Sequence, residues 1–358
     1  MGSDGKYTGK VQTVLGTISA DSLGITITHE HLLSDMGAWL LESTEAGERG
    51  RSCQPLTLEN LGWNLVNRFK NVDNMQLTDE STAINEALHY KIAGGNTIVE
   101  VSSVGLGRDP LGLARISRAT GLNIVMGSAY YIGASHSQEL KQMSVEEIAE
   151  GIIREITVGV GDTGLRPGII GEIGCSLPLE DSEIKVLCAG AIAQRKTGAP
   201  LTIHPSFSDE LVLEIVDIVS DAGAELSHTI ICHNDLFSFN LDTRLKIASK
   251  GCYLEYDNFG HPAYPHLLQG RLVGLVSDLE RLRGISELID EGFIDQILIS
   301  HDICFKDCLS AYGGYGYAHI INNLLPIMRV QGFTDEQINT ILVENPKRAL
   351  QFVRLEEK

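Results

Sequence analysis

Short runs of Ile, Val, Leu and Thr alternate along this chain with longer stretches in which apolar residues recur every three or four positions. The short runs lie at Ile25–His31, Thr97–Val101, Ile124–Ala129, Gly168–Glu172, Leu201–His204, Thr229–His233, Tyr253–Tyr256 and Ile297–His301. Their nearly continuous apolar character marks strands covered on both faces, as in a parallel sheet. The intervening helices have readable ends. Ser144-x-x-Glu147 has capping-box spacing ahead of an apolar-periodic stretch through Ile156, and Thr334-x-x-Gln337 repeats it near the end. Ile184, Leu187, Cys188, Ala191 and Ile192 recur at helical spacing before Gly198, a C-cap glycine. Ser208 opens the next helix, Gly223 closes it, and Asn345-Pro346 interrupts or restarts the last one. About eight β-then-α units without a long linker predict an α/β fold, a (β/α)8 TIM barrel in a single domain over residues 1–358. The stretch from Trp39 to Asn74 reads as a long insertion after the first strand.

Composition narrows the function. The 358 residues carry 28 Lys+Arg against 47 Asp+Glu, a formal net charge of −19. Such an excess of acid argues against nucleic acid or an anionic membrane surface as a partner, and leaves a small-molecule substrate. No apolar run approaches the roughly 20 residues of a membrane span. The polar start MGSDGKYTGK lacks the apolar segment of a signal peptide, so a cytoplasmic setting is expected. Seven scattered cysteines without a Cys-x-x-Cys pair read as reduced, buried thiols rather than disulfides or a thiolate zinc site. Neither glycine-rich nucleotide-binding loop follows an early strand.

The chemistry sits at the strand ends. His29 and His31 close the first run as His-Glu-His, and side chains two apart on a strand share a face, so Glu30 points away. Glu172 ends the fourth run, His204 the fifth and His233 the sixth, while Asp302 follows the eighth. In a parallel barrel these ends gather at one rim, where barrel enzymes carry their chemistry. Four imidazoles and two carboxylates make a nitrogen/oxygen site for zinc or a similar divalent metal, and two ions sharing one bridging carboxylate would use all six.

Thr28-His-Glu-His31, Gly171-Glu-Ile-Gly174, His204, His233 and Ser300-His-Asp302 resemble the phosphotriesterase family of the amidohydrolase superfamily, most closely its phosphotriesterase-related branch. KVQTVLG at Lys10–Gly16, GCYLEYDNFG at Gly251–Gly260, YGGYGYAHI at Tyr312–Ile320 and ENPKRAL at Glu344–Leu350 extend the likeness over residues 10–354. The resemblance implies a binuclear centre with His29, His31 and Asp302 on the inner metal and His204 and His233 on the outer one. Many phosphotriesterases bridge the metals with a carboxylated lysine. Here Glu172 stands at that position, as in the related branch, and makes phosphotriester hydrolysis a less secure native activity.

Two divalent ions, Zn²⁺ or else Mn²⁺, Co²⁺, Ni²⁺ or Fe²⁺, flanking one water would lower its pKa to about 7 and give a bridging hydroxide. That hydroxide would attack a carbonyl or phosphorus centre, with Asp302 accepting the proton and returning it to the leaving group. Tyr130 and Tyr131, after the third strand, are candidates to steady an oxyanion or to pack the rim. Asp235 is expected to orient an imidazole or cap a segment, and Asp257 to shape the pocket or close a turn. His319 and the Gly313–Tyr317 loop resemble a lid. His301, facing opposite to Asp302, is not expected to ligate, and His89 reads as a surface or packed residue. The branch likeness suggests an N-acyl amide substrate of the N-acetyltaurine or N-acetyl amino acid type, and a homodimer. The alternatives are a lactonase or carboxylesterase with incidental phosphotriesterase activity, or a barrel that binds a small ligand without turnover. A retired site should have lost ligands, and all six are present.

Overall fold

The computed structural model describes residues 7–42, 45–235, 239–268, 271–274 and 276–354, so the polar stretch before Tyr7 lies outside the described residues. Eight strands follow the order read from the sequence: β1 (Thr26–Glu30), β2 (Thr97–Glu100), β3 (Asn123–Met126), β4 (Ile170–Gly174), β5 (Leu201–His204), β6 (Thr229–Ile231), β7 (Tyr253–Tyr256) and β8 (Ile297–Ile299). A helix follows each of the first seven: α1 (Glu80–Ile92), α2 (Pro110–Thr120), α3 (Val145–Thr157), α4 (Asp181–Thr197), α5 (Asp209–Asp221), α6 (Leu241–Ser249) and α7 (Asp278–Asp290). Helical segments between Ile320 and Leu350 complete the ring after β8.

Parallel ladders join β1 to β3 and β4 to β8. Two seams close them into the (β/α)8 barrel. Between β3 and β4, Gly168 N donates to Met126 O (2.9 Å) and Gly171 N to Ser128 O (3.0 Å). Between β8 and β1, His29 N donates to Ser300 Oγ (2.9 Å) and Asp302 N to His29 O (3.1 Å). The second seam therefore runs through two of the candidate site residues.

Both strand faces are buried, which explains the continuous apolar runs. Ile98, Ile124, Ile170, Ile231, Leu254 and Ile299 pack outward against the helices. Val99, Val125, Ile230 and Leu298 fill the barrel with Val11 from an N-terminal hairpin and Leu350 from the last helix. Each such burial is worth roughly 1.5–3 kcal/mol against exposure. No helix among the described residues is long and apolar enough to cross a membrane.

Helix ends obey local chemistry. Ser144 and Glu147 form a reciprocal capping box on α3, as do Thr334 and Gln337 on Asp335–Asn339. Gly198 ends α4 at φ 73°, where an added Cβ would run into the Val353 carbonyl. Among its described residues the excursion after β1 has little regular structure: the two-residue strands Ser34–Asp35 and Gln76–Leu77, which pair antiparallel across its base, the short helices Ala46–Ser52 and Leu61–Val66, and single turns.

Several expected strands end early. The runs read to His233 and His301 stop as strands at Ile231 and Ile299. His233 and Asp302 then take left-handed backbone angles, φ 58° and 49°, which non-glycine residues adopt at a cost of about 1–3 kcal/mol. Glu172 does not end its strand either. It lies inside β4, where the register against β5 shifts between Ile170 and Ile173.

Ser144→Ala should lower stability by about 1 kcal/mol, read as a reduced urea midpoint with an unchanged slope. An unchanged midpoint would mean that the cap on α3 contributes nothing.

Candidate metal centre

The structure brings His29, His31, Glu172, His204, His233 and Asp302 to one buried cluster at the C-terminal mouth of the barrel. His29 Nε2 lies 3.7 Å from both Glu172 Oε2 and Asp302 Oδ1. His31 Nε2 lies 3.4 Å from Glu172 Oε1 and 3.2 Å from Asp302 Oδ1. On the other side, His233 Nε2 and His204 Nδ1 converge to 2.8 Å, and His204 Nδ1 is 3.2 Å from Glu172 Oε2. Glu172 thus presents one oxygen to His31 and the other to His204, His233 and His29.

The groups behind the imidazoles fix which nitrogen faces inward. His29 Nδ1 meets Glu255 Oε2 at 3.1 Å and Asp257 Oδ2 at 3.5 Å. A carboxylate only accepts, so Nδ1 carries a proton and Nε2 is the nitrogen that faces the cluster, where it can ligate a metal once deprotonated. Among the described residues His29 Nε2 is buried and has no hydrogen-bond partner. His233 follows the same rule, with Nδ1 on Asp257 Oδ1 at 2.8 Å. For His31 the acceptor is Ser102 Oγ at 2.9 Å, whose own proton goes to Glu100 Oε1 at 2.6 Å. Burial lifts the Glu100 carboxyl to about 7, against the pull of His31 and Ser102.

The electrostatics are those of a cation site. Burial disfavours a charged His29, yet Asp257, Glu172, Glu255 and Asp302 together raise it to about 10. His233 is raised in the same way, against burial, chiefly by Asp257. Glu172, opposed by burial, is held well below the usual carboxylate range by His29, His204 and His233. His204 shifts the other way, because burial outweighs its contact with Glu172. Four buried carboxylates and four imidazole nitrogens at these distances fit a divalent metal.

Several residues lie elsewhere than expected. Asp257 lies beneath the rings of the cluster. It is fully buried behind His233 and His29, and accepts from the His233 backbone as well as its ring. Asp235 is turned toward Arg281 of α7. It accepts from Arg281 Nε (2.7 Å) and from the backbone N of Asp257 (3.3 Å) and Asn258 (3.0 Å), so it holds the loop that carries Asp257. Tyr130 is half-buried with its ring toward His136, 6.3 Å between centroids, rather than toward the cluster. Tyr131 does turn inward, with its ring 5.2 Å from His204 and its hydroxyl accepting from Trp39 Nε1 at 3.0 Å. The expected lid is pinned: Tyr317 Oη donates to His31 O (2.7 Å), and His319 Nε2 meets Asp278 Oδ2 at 2.7 Å. His301 Nδ1 bonds Glu30 Oε1 at 2.7 Å, outside the cluster.

Sequence reasoning missed Glu255, Ser102 and Trp39. Glu255 was findable, since a carboxylate inside the buried run YLEY, two residues from Asp257, shares its face. Ser102 and Trp39 lie outside the barrel strands, and their role comes only from contacts across the barrel mouth.

The phosphotriesterase family model matches residues 9–350. N-acetyltaurine hydrolase of Homo sapiens is 41% identical over 345 residues, covering 96% of this chain and 98% of that protein. A crystal structure of a resiniferatoxin-binding protein from Rhodobacter sphaeroides superposes with a TM-score of 0.92 at 35% identity, covering 98% of this chain and 97% of the other. A phosphotriesterase homology protein from Escherichia coli, complexed with phosphate in its active site, gives a TM-score of 0.75 at 28% identity, with coverages of 92% and 100%. Likeness of this extent makes the chain a hydrolase, and it belongs to the phosphotriesterase family.

Proposed function

We propose that this chain hydrolyses an N-acyl amide, with N-acetyltaurine the first substrate to try, at a centre of two divalent metal ions, Zn²⁺ foremost. His29, His31 and Asp302 would hold the inner ion, His204 and His233 the outer one, with Glu172 shared between them. The observation that carries this reading is the converged cluster, with His29 Nε2 buried among carboxylates and left without a hydrogen bond. Charge supports it as well. Glu172, Glu255, Asp257 and Asp302 bring four formal negative charges to the cluster, which two divalent ions would balance. The name borne by the 41% identical human relative supports the substrate. Family likeness likewise supports one domain over residues 1–358 and a homodimer, and the scattered cysteines, read as reduced thiols, support a cytoplasmic setting.

Bound there, the ions supply Lewis acidity and acidify a water. The chain does the rest. Glu255, Asp257 and Ser102 hold His29, His233 and His31 in the tautomer that points Nε2 inward. Asp302 is the most exposed carboxylate of the cluster, 8% against 2% or less for Glu172, Glu255 and Asp257, and takes the proton of the attacking water. It then passes that proton to the leaving amine nitrogen. Tyr131 accepts from Trp39, so its own O–H is available to donate to the developing oxyanion. Apolar and aromatic walls, Trp39 with Phe207 and His204, limit water around the acyl group.

Three measurements test this. In a screen of N-acetyltaurine, N-acetyl amino acids, aryl esters, lactones and a phosphotriester, kcat/KM should be at least about tenfold higher for an N-acyl amide, near 1.4 kcal/mol of transition-state preference. A lactone or ester in first place would replace the substrate class, and no turnover with metals bound would favour a ligand-binding barrel. Elemental analysis should find about two metals per chain, as a centre with one shared carboxylate requires. Glu172→Ala should lose at least one of them, and an unaltered metal content with full activity would remove Glu172 from the bridge. Asp302→Asn should lower kcat by about 10²–10⁴-fold in protein that still holds metal, whereas a wild-type rate would move the proton transfer elsewhere.

A further inference from the structure

Asp302 leaves β8 in a left-handed conformation, a region that few non-glycine residues occupy, although Asp enters it more readily than most. Both of its backbone polar groups are tied: N donates to His29 O (3.1 Å), and the carbonyl lies 3.1 Å from His261 Nε2. The other ring nitrogen, His261 Nδ1, lies 3.0 Å from Arg68 Nη1. A guanidinium has donors and no acceptor, so Nδ1 must accept and the ring proton must sit on Nε2, where it donates to Asp302 O. Arg68 is itself fixed. Its Nη2 and Nε donate to Asp307 Oδ1 (2.6 Å) and Oδ2 (3.1 Å), and its guanidinium lies 4.8 Å from the centre of the Phe305 ring. Asn74 Nδ2 donates to the same carboxylate at 3.1 Å. Cys308 Sγ is 3.7 Å from His261 Nε2, a longer and weaker contact than the carbonyl. Arg68, His261 and Asp307 are all buried, so the chain of contacts is shielded from water.

We propose that His261 is a positioning residue for Asp302, locked in its Nε2–H tautomer by Arg68 from the excursion after β1. The excursion between β1 and α1 thereby acts on the site without touching substrate: Asp307 aligns Arg68, Arg68 sets the His261 ring, and His261 holds the Asp302 carbonyl. This deepens the reading of Asp302 given above and rests on it.

The test uses the metal-loaded full chain. Nitrogen-15 NMR of histidine-labelled wild-type protein should show His261 as a neutral ring protonated on Nε2. Arg68→Met should turn that signal into a mixture of tautomers. His261→Phe should lower kcat about 10–100-fold with KM and metal content near wild type. His261→Gln, which offers an N–H to Asp302 and a carbonyl to Arg68, should recover most of that loss. A wild-type ring protonated on Nδ1 overturns the proposal, and this measurement stands even if a variant at buried Arg68 fails to fold. Equal losses in the Phe and Gln variants, or a change in KM alone, also overturn it. A wild-type rate for Asp302→Asn would remove the reading of Asp302 itself, whereas a wild-type rate for His261→Phe beside an impaired Asp302→Asn removes this proposal only.

Discussion

Buried charge is the constraint on which the rest of this molecule turns. Glu172, Glu255, Asp257 and Asp302 lie with four imidazoles in the barrel mouth, where water solvates them little. Isolated carboxylates in such a place would cost several kcal/mol each. They are tolerated because each faces a partner of opposite polarity, and because the cluster as a whole attracts cations. The raised pKa of His29 expresses the same field acting on protons.

Support for that cluster comes in layers. Glu255, Asp257 and Ser102 stand directly behind the rings. Asp235, paired with Arg281 of α7, holds the backbone that carries Asp257. Glu30 takes His301 on the outer side of β1 and also accepts from the backbone of His301 and Ile303, next to Asp302. A barrel suits this arrangement because successive strands deliver their ends to one rim while the surrounding helices and loops remain free to brace them. The geometry needed for chemistry is thus held by contacts from α7, from the excursion after β1 and from the segment after β8.

Much of this was legible. The eight apolar runs became β1–β8 in the same order, because burial on both faces writes itself into continuous Ile, Val and Leu. Capping boxes at Ser144 and Thr334 were legible for the same local reason: the partner is three residues away. The His-x-His of β1 shares a face whatever surrounds it. The expectations that moved were those that depended on where a loop goes after its strand. Asp257 turns behind His233, Asp235 turns to Arg281, and Tyr130 and Tyr131 turn opposite ways.

The sequence by itself determined the alternation of strands and helices, the set of candidate metal ligands at the strand ends, and the likeness to a hydrolase family, since each depends on residue type and short spacing. Only the tertiary structure decided that β6 and β8 stop two residues short and release His233 and Asp302 into left-handed conformations. It alone brought Arg68 to His261, 193 positions away, and Ser300 to His29, 271 positions away. Those contacts carry no local signature, because a single arginine, serine or histidine in a loop is compatible with many surroundings, and closure of the barrel selects one.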